Sequence, residues 1–246
     1  MKISLITVSY NAENTISRCI ESVIGQNFKN IEYIIIDGGS TDKTTQIIAQ
    51  YKEYTSIFLS EPDKGIYDAM NKGINLASGD IIGMLNADDY FADSSVLSAV
   101  ADAFARQNAN ITYGDLDYIN TQGNIVRKWR SGMYTNSMFK RGWMPPHPTF
   151  YCKRSLFKQY GFYSLEYGTA ADYELMLRFM YLNKIAAFYI KKVMVKMSTG
   201  GASNKTLNNR IKGLFFDLKA MRNNKMPFPT VTLILKPLRK IIQYFH

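Results

Sequence analysis

Cysteine is scarce in this chain, with only Cys19 and Cys152 among 246 residues. Cys19 falls among apolar residues at helical spacing and reads as core. A disulfide framework is therefore excluded, which fits a reducing compartment. Long hydrophobic runs are also missing: no stretch of about eighteen apolar residues offers a spanning helix. The opening "MKISLITVSYN" lacks the basic region, apolar stretch and small-residue cleavage site of a signal peptide, and reads as a short strand. Acid is missing from one part only. Residues 181–246 carry thirteen Lys and Arg against a single acid, Asp217, whereas residues 1–180 carry seventeen against nineteen, so the net charge of +10 belongs to the tail. That tail has no recognisable nucleic-acid recognition motif, which leaves an anionic membrane surface or a solvated face to explain its charge.

What the chain does have is periodicity. Hydrophobic residues make up 46% of the sequence, enough for a substantial core. Strands are expected at Ile3–Ser9, Ile31–Asp37, Ser56–Ser60, Asp80–Leu85 and Ile111–Tyr118. Between them, helices are expected over Asn11–Gln26, Thr41–Tyr54, the segment running from Ile66 to Ala77, and Ser94–Arg106. Such alternation implies right-handed crossovers and a mostly parallel α/β sheet. After residue 120 the pattern loosens into a loop-built wall rich in Pro, Gly and aromatics. A helical turn at Leu156–Tyr160, a helix at Ala170–Tyr181 and a strand pair or long strand in "AAFYIKKVMVKM" follow. Residues 1–200 read as one domain, with halves 1–118 and 119–200, and residues 201–246 as a basic helical tail.

Ligands in open α/β sheets sit beyond the carboxyl ends of the strands. Four polar clusters fall there: "SYNAE", "DGGSTD", "EPDKG" and "NADD". The last is the most telling, because the apolar run Ile81–Leu85 ends on Asn86, Asp88 and Asp89. Ionised carboxylates are costly to bury unless a cation or several donors meet them. A solvated cap is the plain alternative for such a pair.

In order, "TVSYNAE", "IIDGGSTD", "EPDKGIYDAMNKGINLASGDIIGMLNADDY", "HPTFYCKRSLF" and "ADYELMLR" resemble family 2 of the inverting nucleotide-diphospho-sugar glycosyltransferases, over roughly residues 1–200. The resemblance implies the GT-A fold, a Rossmann-like sheet flanked by helices, here followed by a basic amphipathic tail. It implies that Ser9, Tyr10, Asn11 and Asp37 hold the nucleoside of a sugar nucleotide, UDP-linked by expectation, with Glu13 an additional contact. Lys64 or Lys72 would meet the diphosphate, because Met70 stands where many relatives carry an arginine, immediately before Asn71. Asp89 is implied as the ligand of a divalent metal, Mn²⁺ or Mg²⁺, with Asp88 near the ribose or a metal-bound water and Asn86 thinning the carboxylate cage. Asp172 matches the catalytic base. His147 would contact diphosphate or metal, or stiffen its proline-bracketed loop. Trp143 and Trp129 would stack on a sugar ring or pack. Glu174 and Arg178, four apart, most simply form a surface ion pair.

In the tail, Ile234, Leu235, Leu238, Ile241, Ile242 and Phe245 share one helical face, with Lys236, Arg239, Lys240 and Gln243 opposite. Such a helix either lies on an anionic membrane or packs back on the domain. "STGGASN", Ser198–Asn204, is expected to act as a flap. The function expected is transfer of a sugar from a nucleotide-diphospho-sugar to a hydroxyl of a glycan or polyprenyl-diphosphate-linked acceptor in surface polysaccharide synthesis. It would take place in the cytoplasm or peripherally on the inner face of the plasma membrane, with no nucleic-acid partner. A non-catalytic nucleotide-sugar-binding or membrane-recruited subunit is the alternative. A sugar nucleotidyltransferase would carry a Gly-rich basic loop after the first strand, and "TVSYNAENT" is not one. The sequence leaves the sugar, the acceptor and the oligomeric state open.

Overall fold

The computed structural model describes residues 1–199 and 207–243. Four strands, β1 (Ile3–Ser9), β2 (Ile31–Asp37), β3 (Ile57–Ser60) and β4 (Ile81–Asn86), pair in parallel in the spatial order β3-β2-β1-β4. Crossover helices α1 (Ile16–Ile24), α2 (Thr44–Ala49) and α3 (Ile66–Leu76) connect them. The order reverses at β1, so the chain leaves a crevice between β1 and β4 where two connections depart in opposite directions. Register then aligns the site: Ser60 lies beside Asp37, Asp37 beside Ser9, and Val8 beside Asn86.

Strand periodicity divides the core. Ile3 and Leu5 pack with Ile16, Cys19 and Ile20 on one face of the sheet, and Ile6 and Val8 pack with Ala69, Met70 and Ile74 on the other. Both faces of β1 and β2 are apolar because helices cover both. Met70 is thus a core residue of α3, 2% exposed, and not a surface position that has lost an arginine.

Past β4 the sheet is mixed, whereas the sequence pointed to a mostly parallel one. The short strand β5 (Tyr90–Phe91) precedes α4 (Val96–Arg106) and β6 (Ile111–Ile119). The expected wall of loops contains two further strands, β7 (Ile125–Trp129) and β8 (Tyr151–Lys153). β8 runs antiparallel between β4 and β6, and β7 pairs with β6. Helix α5 (Arg154–Tyr160) follows β8, then α6 (Ala171–Met176), which continues into π-helical turns over Leu177–Leu182. All but the first residue of "AAFYIKKVMVKM" lies in a single strand, β9 (Ala187–Ser198), parallel to β6.

Two helices are shorter than their apolar periods. α1 starts at Ile16, not Asn11, because residues 11–13 bond the loop after β2. Asn11 adopts a φ of 48°, its N–H donates to Ser40 Oγ (2.8 Å), and its Oδ1 accepts the Thr41 N–H (2.9 Å). Glu13 accepts the Lys43 N–H at 3.0 Å, which also holds back the start of α2.

The tail forms α7 (Leu207–Asn223) and α8 (Pro229–Ile242), and it packs back on the body. Ala220, Met221 and Met226 join the core cluster of Tyr167 and Tyr173, so the expected boundary at residue 200 is no break in packing. Helix α8 turns part of its polar face inward and part of its apolar face outward. Lys236 is 8% exposed, with its Nζ 2.6 Å from Asp217 and 3.5 Å above the Tyr173 ring, whereas Ile234 and Leu238 are 60% and 51% exposed. Phe245 and most of the expected flap lie outside the described residues. No helix among the described residues is long and apolar enough to cross a membrane.

Candidate active site

The crevice at the β1–β4 switch point is built from strand ends. Asp37, at the tip of β2, is fully buried. Burial pushes its carboxyl up, but hydrogen bonds from the Ser40 hydroxyl and N–H, Ser60 and Ser9 outweigh that and hold it below the usual carboxylate range. The Gly39 N–H adds a further bond at 3.1 Å. Both Asp37 oxygens are therefore occupied from within the chain, and the residue's visible work is to fix the loop Gly38–Ser40. Ser9 belongs to that work, since its hydroxyl donates to Asp37 at 3.0 Å.

Tyr10 stands next to it, 65% exposed, with its ring open to the crevice rim. A side chain at Gly38 would run into the Asp63 carboxylate and touch the Tyr10 ring, so these two flank the same narrow backbone. Sequence reasoning passed over Asp63, in "EPDKG". Its Oδ1 accepts the Gly65 N–H at 2.7 Å. Lys64 is exposed and has no ion-pair partner among the described residues. Lys72 is committed, with Glu61 at 2.8 Å and the Pro62 carbonyl at 2.9 Å. Asn71 is committed too. Its amide donates to the Tyr163 carbonyl (2.8 Å) and accepts the Tyr163 N–H (3.0 Å), so it latches α3 to the segment before α6.

Across the crevice, Asp89 is 1% exposed. Burial, then the neighbouring Asp88 charge, pushes its carboxyl well above the usual range, against the Ser198 N–H, Asn86 and the Arg18 guanidinium. Ser198, at the end of β9, donates its N–H to Asp89 (3.2 Å) and its hydroxyl to the Asp88 carbonyl (2.7 Å). Arg18 lies over the Tyr90 ring and reaches Ser198 Oγ at 3.2 Å. Neither Arg18 nor Ser198 was legible as a site residue, because their approach depends on α1 and β9 meeting at the strand tip.

The imidazole of His147 joins the two sides. Its Nε2 is 3.3 Å from Asn86 Nδ2, and its Nδ1 is 3.5 Å from an Asp172 carboxylate oxygen. Burial lowers its pKa below the ordinary value despite the Asp172 and Asp88 charges, which favours the neutral ring. Asp172 opens α6, with Oδ1 accepting the Tyr173 N–H at 2.7 Å. Tyr67, half-buried beside it, has its phenol pushed well up by desolvation and then by the Asp172 charge.

Trp143 is not at the site. It is 4% exposed, donates its indole N–H to the Ser131 carbonyl at 2.9 Å, and stacks on Tyr134 with Phe139 and Tyr113 edge-on. Trp129 stacks on Tyr118. The Glu174–Arg178 pair is not a surface pair either. Glu174 is 4% exposed, and Arg178 turns its remaining donors to the carbonyls of Tyr160, Gly161 and Phe162.

A divalent cation can be tested against these residues. Among the described residues no three His, Cys, Asp or Glu side chains converge as a cage. Two features nevertheless suit a hard cation. Asp89 is a buried carboxylate without a cation at contact, and Asn86 Oδ1, beside it, is buried with no hydrogen-bond partner. Oxygen donors on one side, with substrate phosphates and water completing the shell, are what such an ion commonly takes.

A family model described as glycosyl transferase family 2 matches residues 4–166. The chain belongs to this family. The transferase is 30% identical, over 82% of its length and 78% of the relative's, to a PGL/p-HBAD biosynthesis glycosyltransferase of Mycobacterium bovis. Its fold matches S. aureus TarS (residues 1–349, in complex with UDP-GlcNAc) with a TM-score of 0.74 at 19% identity, covering 97% of this chain and 72% of that one. It spans 39% of a longer TarS chain. A mannosyltransferase from Pyrobaculum calidifontis, solved with GDP-Man and Mn²⁺, aligns with a TM-score of 0.68 at 17% identity, over 96% of this chain and 68% of that one. The transferase thus has the GT-A α/β fold that the resemblance implied.

Proposed function

We propose that this glycosyltransferase moves a sugar from a nucleotide-diphospho-sugar, UDP-linked, to a hydroxyl of a glycan or polyprenyl-diphosphate-linked acceptor, with inversion at the anomeric carbon. The observation that carries the reading is the imidazole of His147, set between Asn86 on the acidic edge and Asp172 on the other side of the crevice. Leaving-group chemistry and acceptor activation need two such sides, a few ångströms apart, in one cleft.

Tyr10 offers an aromatic face to the base, and the Asp63 carboxylate beside it offers an acceptor for an imide N–H. Asp37, with Ser9 and Ser40, holds the loop under the nucleoside, and the interlock of Asn11 and Glu13 stiffens the same rim. Lys64 is the cation at hand for the diphosphate. Asp89, with Asn86 and Asp88, would hold Mn²⁺ or Mg²⁺, which when bound neutralises charge on a diphosphate leaving group.

Asp172 is the general base. The acceptor oxygen forms its bond to the anomeric carbon from the face opposite the diphosphate, and the anomeric carbon–oxygen bond breaks with its electron pair leaving on the diphosphate. The hydroxyl proton passes to the Asp172 carboxylate. Neutral His147, 3.5 Å away, orients that carboxylate without competing for the proton. The supply of acceptor would come from the inner face of the plasma membrane, in keeping with the excess positive charge of residues 181–246.

The test is a panel of sugar nucleotides with Mn²⁺ or Mg²⁺, read by donor turnover and by nucleotide-dependent thermal shift, on the wild type and on Asp172→Asn. The expected result is one preferred UDP-sugar, turnover reduced at least a thousandfold in the variant, and a thermal shift unchanged within experimental scatter. Near-full turnover by Asp172→Asn would remove the base assignment. Binding without any turnover in the wild type would favour a nucleotide-sugar-binding subunit.

A further inference from the structure

Helix α8 buries Thr232 and Lys236 against the protein and turns several of its apolar residues to solvent. Thr232 donates to the Lys140 carbonyl at 2.8 Å, and Lys236 is anchored on Asp217. On the outer edge Phe228 is 78% exposed, Val231 54%, Ile234 60% and Leu238 51%. Within the helix, which Phe228 immediately precedes, the spacing of three and four keeps Val231, Ile234 and Leu238 on one stripe. Helix α7, which packs on α8 through the Lys236–Asp217 pair, adds Ile211, Leu214 and Phe215 as exposed apolar side chains. Arg222, seven residues beyond Phe215 and exposed, continues that face with positive charge. Isolated exposed apolar residues need no explanation, but a stripe held outward by buried polar anchors does.

We propose that the outer edge of α8, extended by the exposed face of α7, docks in the plane of an anionic phospholipid bilayer. Charge complementarity selects that occupant, because Lys212 and Arg222 on α7 and Lys225 just after it are exposed, pair with no acid among the described residues, and would repel a second copy of themselves. Anionic headgroups answer the lysines and arginines while the stripe enters the acyl boundary, as interfacial helices do. The proposal deepens the lipid-linked acceptor of the proposed function and rests on that reading only for its purpose. Vesicle binding is measured without donor or turnover, so either can fail alone.

The test is co-sedimentation of the full chain with phosphatidylglycerol–phosphatidylcholine vesicles, against phosphatidylcholine alone, at 50 and 500 mM salt. Binding to the anionic vesicles, weakened by salt, is expected, with at least a tenfold loss in a Val231→Ser/Ile234→Ser/Leu238→Ser variant. Because these side chains are exposed, the melting temperature and the nucleotide-dependent thermal shift should stay at wild-type values, which excludes unfolding as the cause. Equal binding by the triple variant, or no binding by the wild type, would overturn the proposal. So would a wild-type dimer by light scattering that the triple variant dissolves, since a second copy would then cover the edge.

Discussion

Asp37 and Glu32 sit at opposite ends of β2, and both are carboxylates kept charged by hydroxyls and N–H groups. At Glu32 burial pushes the carboxyl up, but the Ser4 and Ser78 hydroxyls, the Ser78 N–H and the Lys2 ammonium bring it down to about 2 from an ordinary 4.5. A folded-state pKa below the unfolded one means stability that is present above pH 4.5 and lost as the pH falls toward 2. Glu32→Gln should therefore cost about 1–3 kcal/mol at pH 7, and the cost should shrink on acidification through that window. Urea melts of both proteins across the range read it, and a pH-independent difference would rule the mechanism out. Single residues were the least legible scale in the sequence. Asp88, Asp89 and Asp172 were singled out by motif order alone, whereas the packing of Asn71 and Trp143 depends on Tyr163 and Ser131, which lie apart from them in the chain. Asp63 was hidden for the same reason: only folding brings it against Gly38 and Tyr10.

Elements were easier to read where an apolar period stood alone. β1, β2 and β4 were visible as apolar runs, and α3 as a stripe from Ile66 to Ala77. β7 and β8 were not, because a strand of five or three residues in aromatic, Gly-rich sequence carries no period long enough to count. The turn before α6 shows what such irregular stretches can hold. Gly168 adopts φ 45° and ψ −124°, a conformation open essentially to glycine, and a Cβ there would meet the Phe216 ring of α7. Gly168→Ala should lower stability by about 2–4 kcal/mol and displace the turn that delivers Asp172, so turnover falls further than nucleotide binding. Thermal melts alongside the donor assay separate the two effects, and unchanged values in both would show the turn to be tolerant.

For the whole molecule, composition located the positive charge in the last quarter or so of the chain but not which way that charge would face. Amphipathicity alone left the tail on a membrane or on the domain. The structure has it packed on the domain with its apolar edge turned out, because Asp217 and the Tyr173 ring give Lys236 a better partner than water. One consequence concerns how this enzyme could be altered. Ala220 and Met221 are fully buried, Phe216 closes over Gly168, and Lys236 sits on the residue next to Asp172. The tail's inner surface is thus the back wall of the turn that carries Asp172. A chain ended at residue 200 should lose turnover toward a soluble acceptor and melt several degrees lower, rather than behave as an intact enzyme that has only lost its address. Wild-type turnover from the shortened chain would show that the two are separable; otherwise, where this transferase works and how well it works are inherited as a single trait.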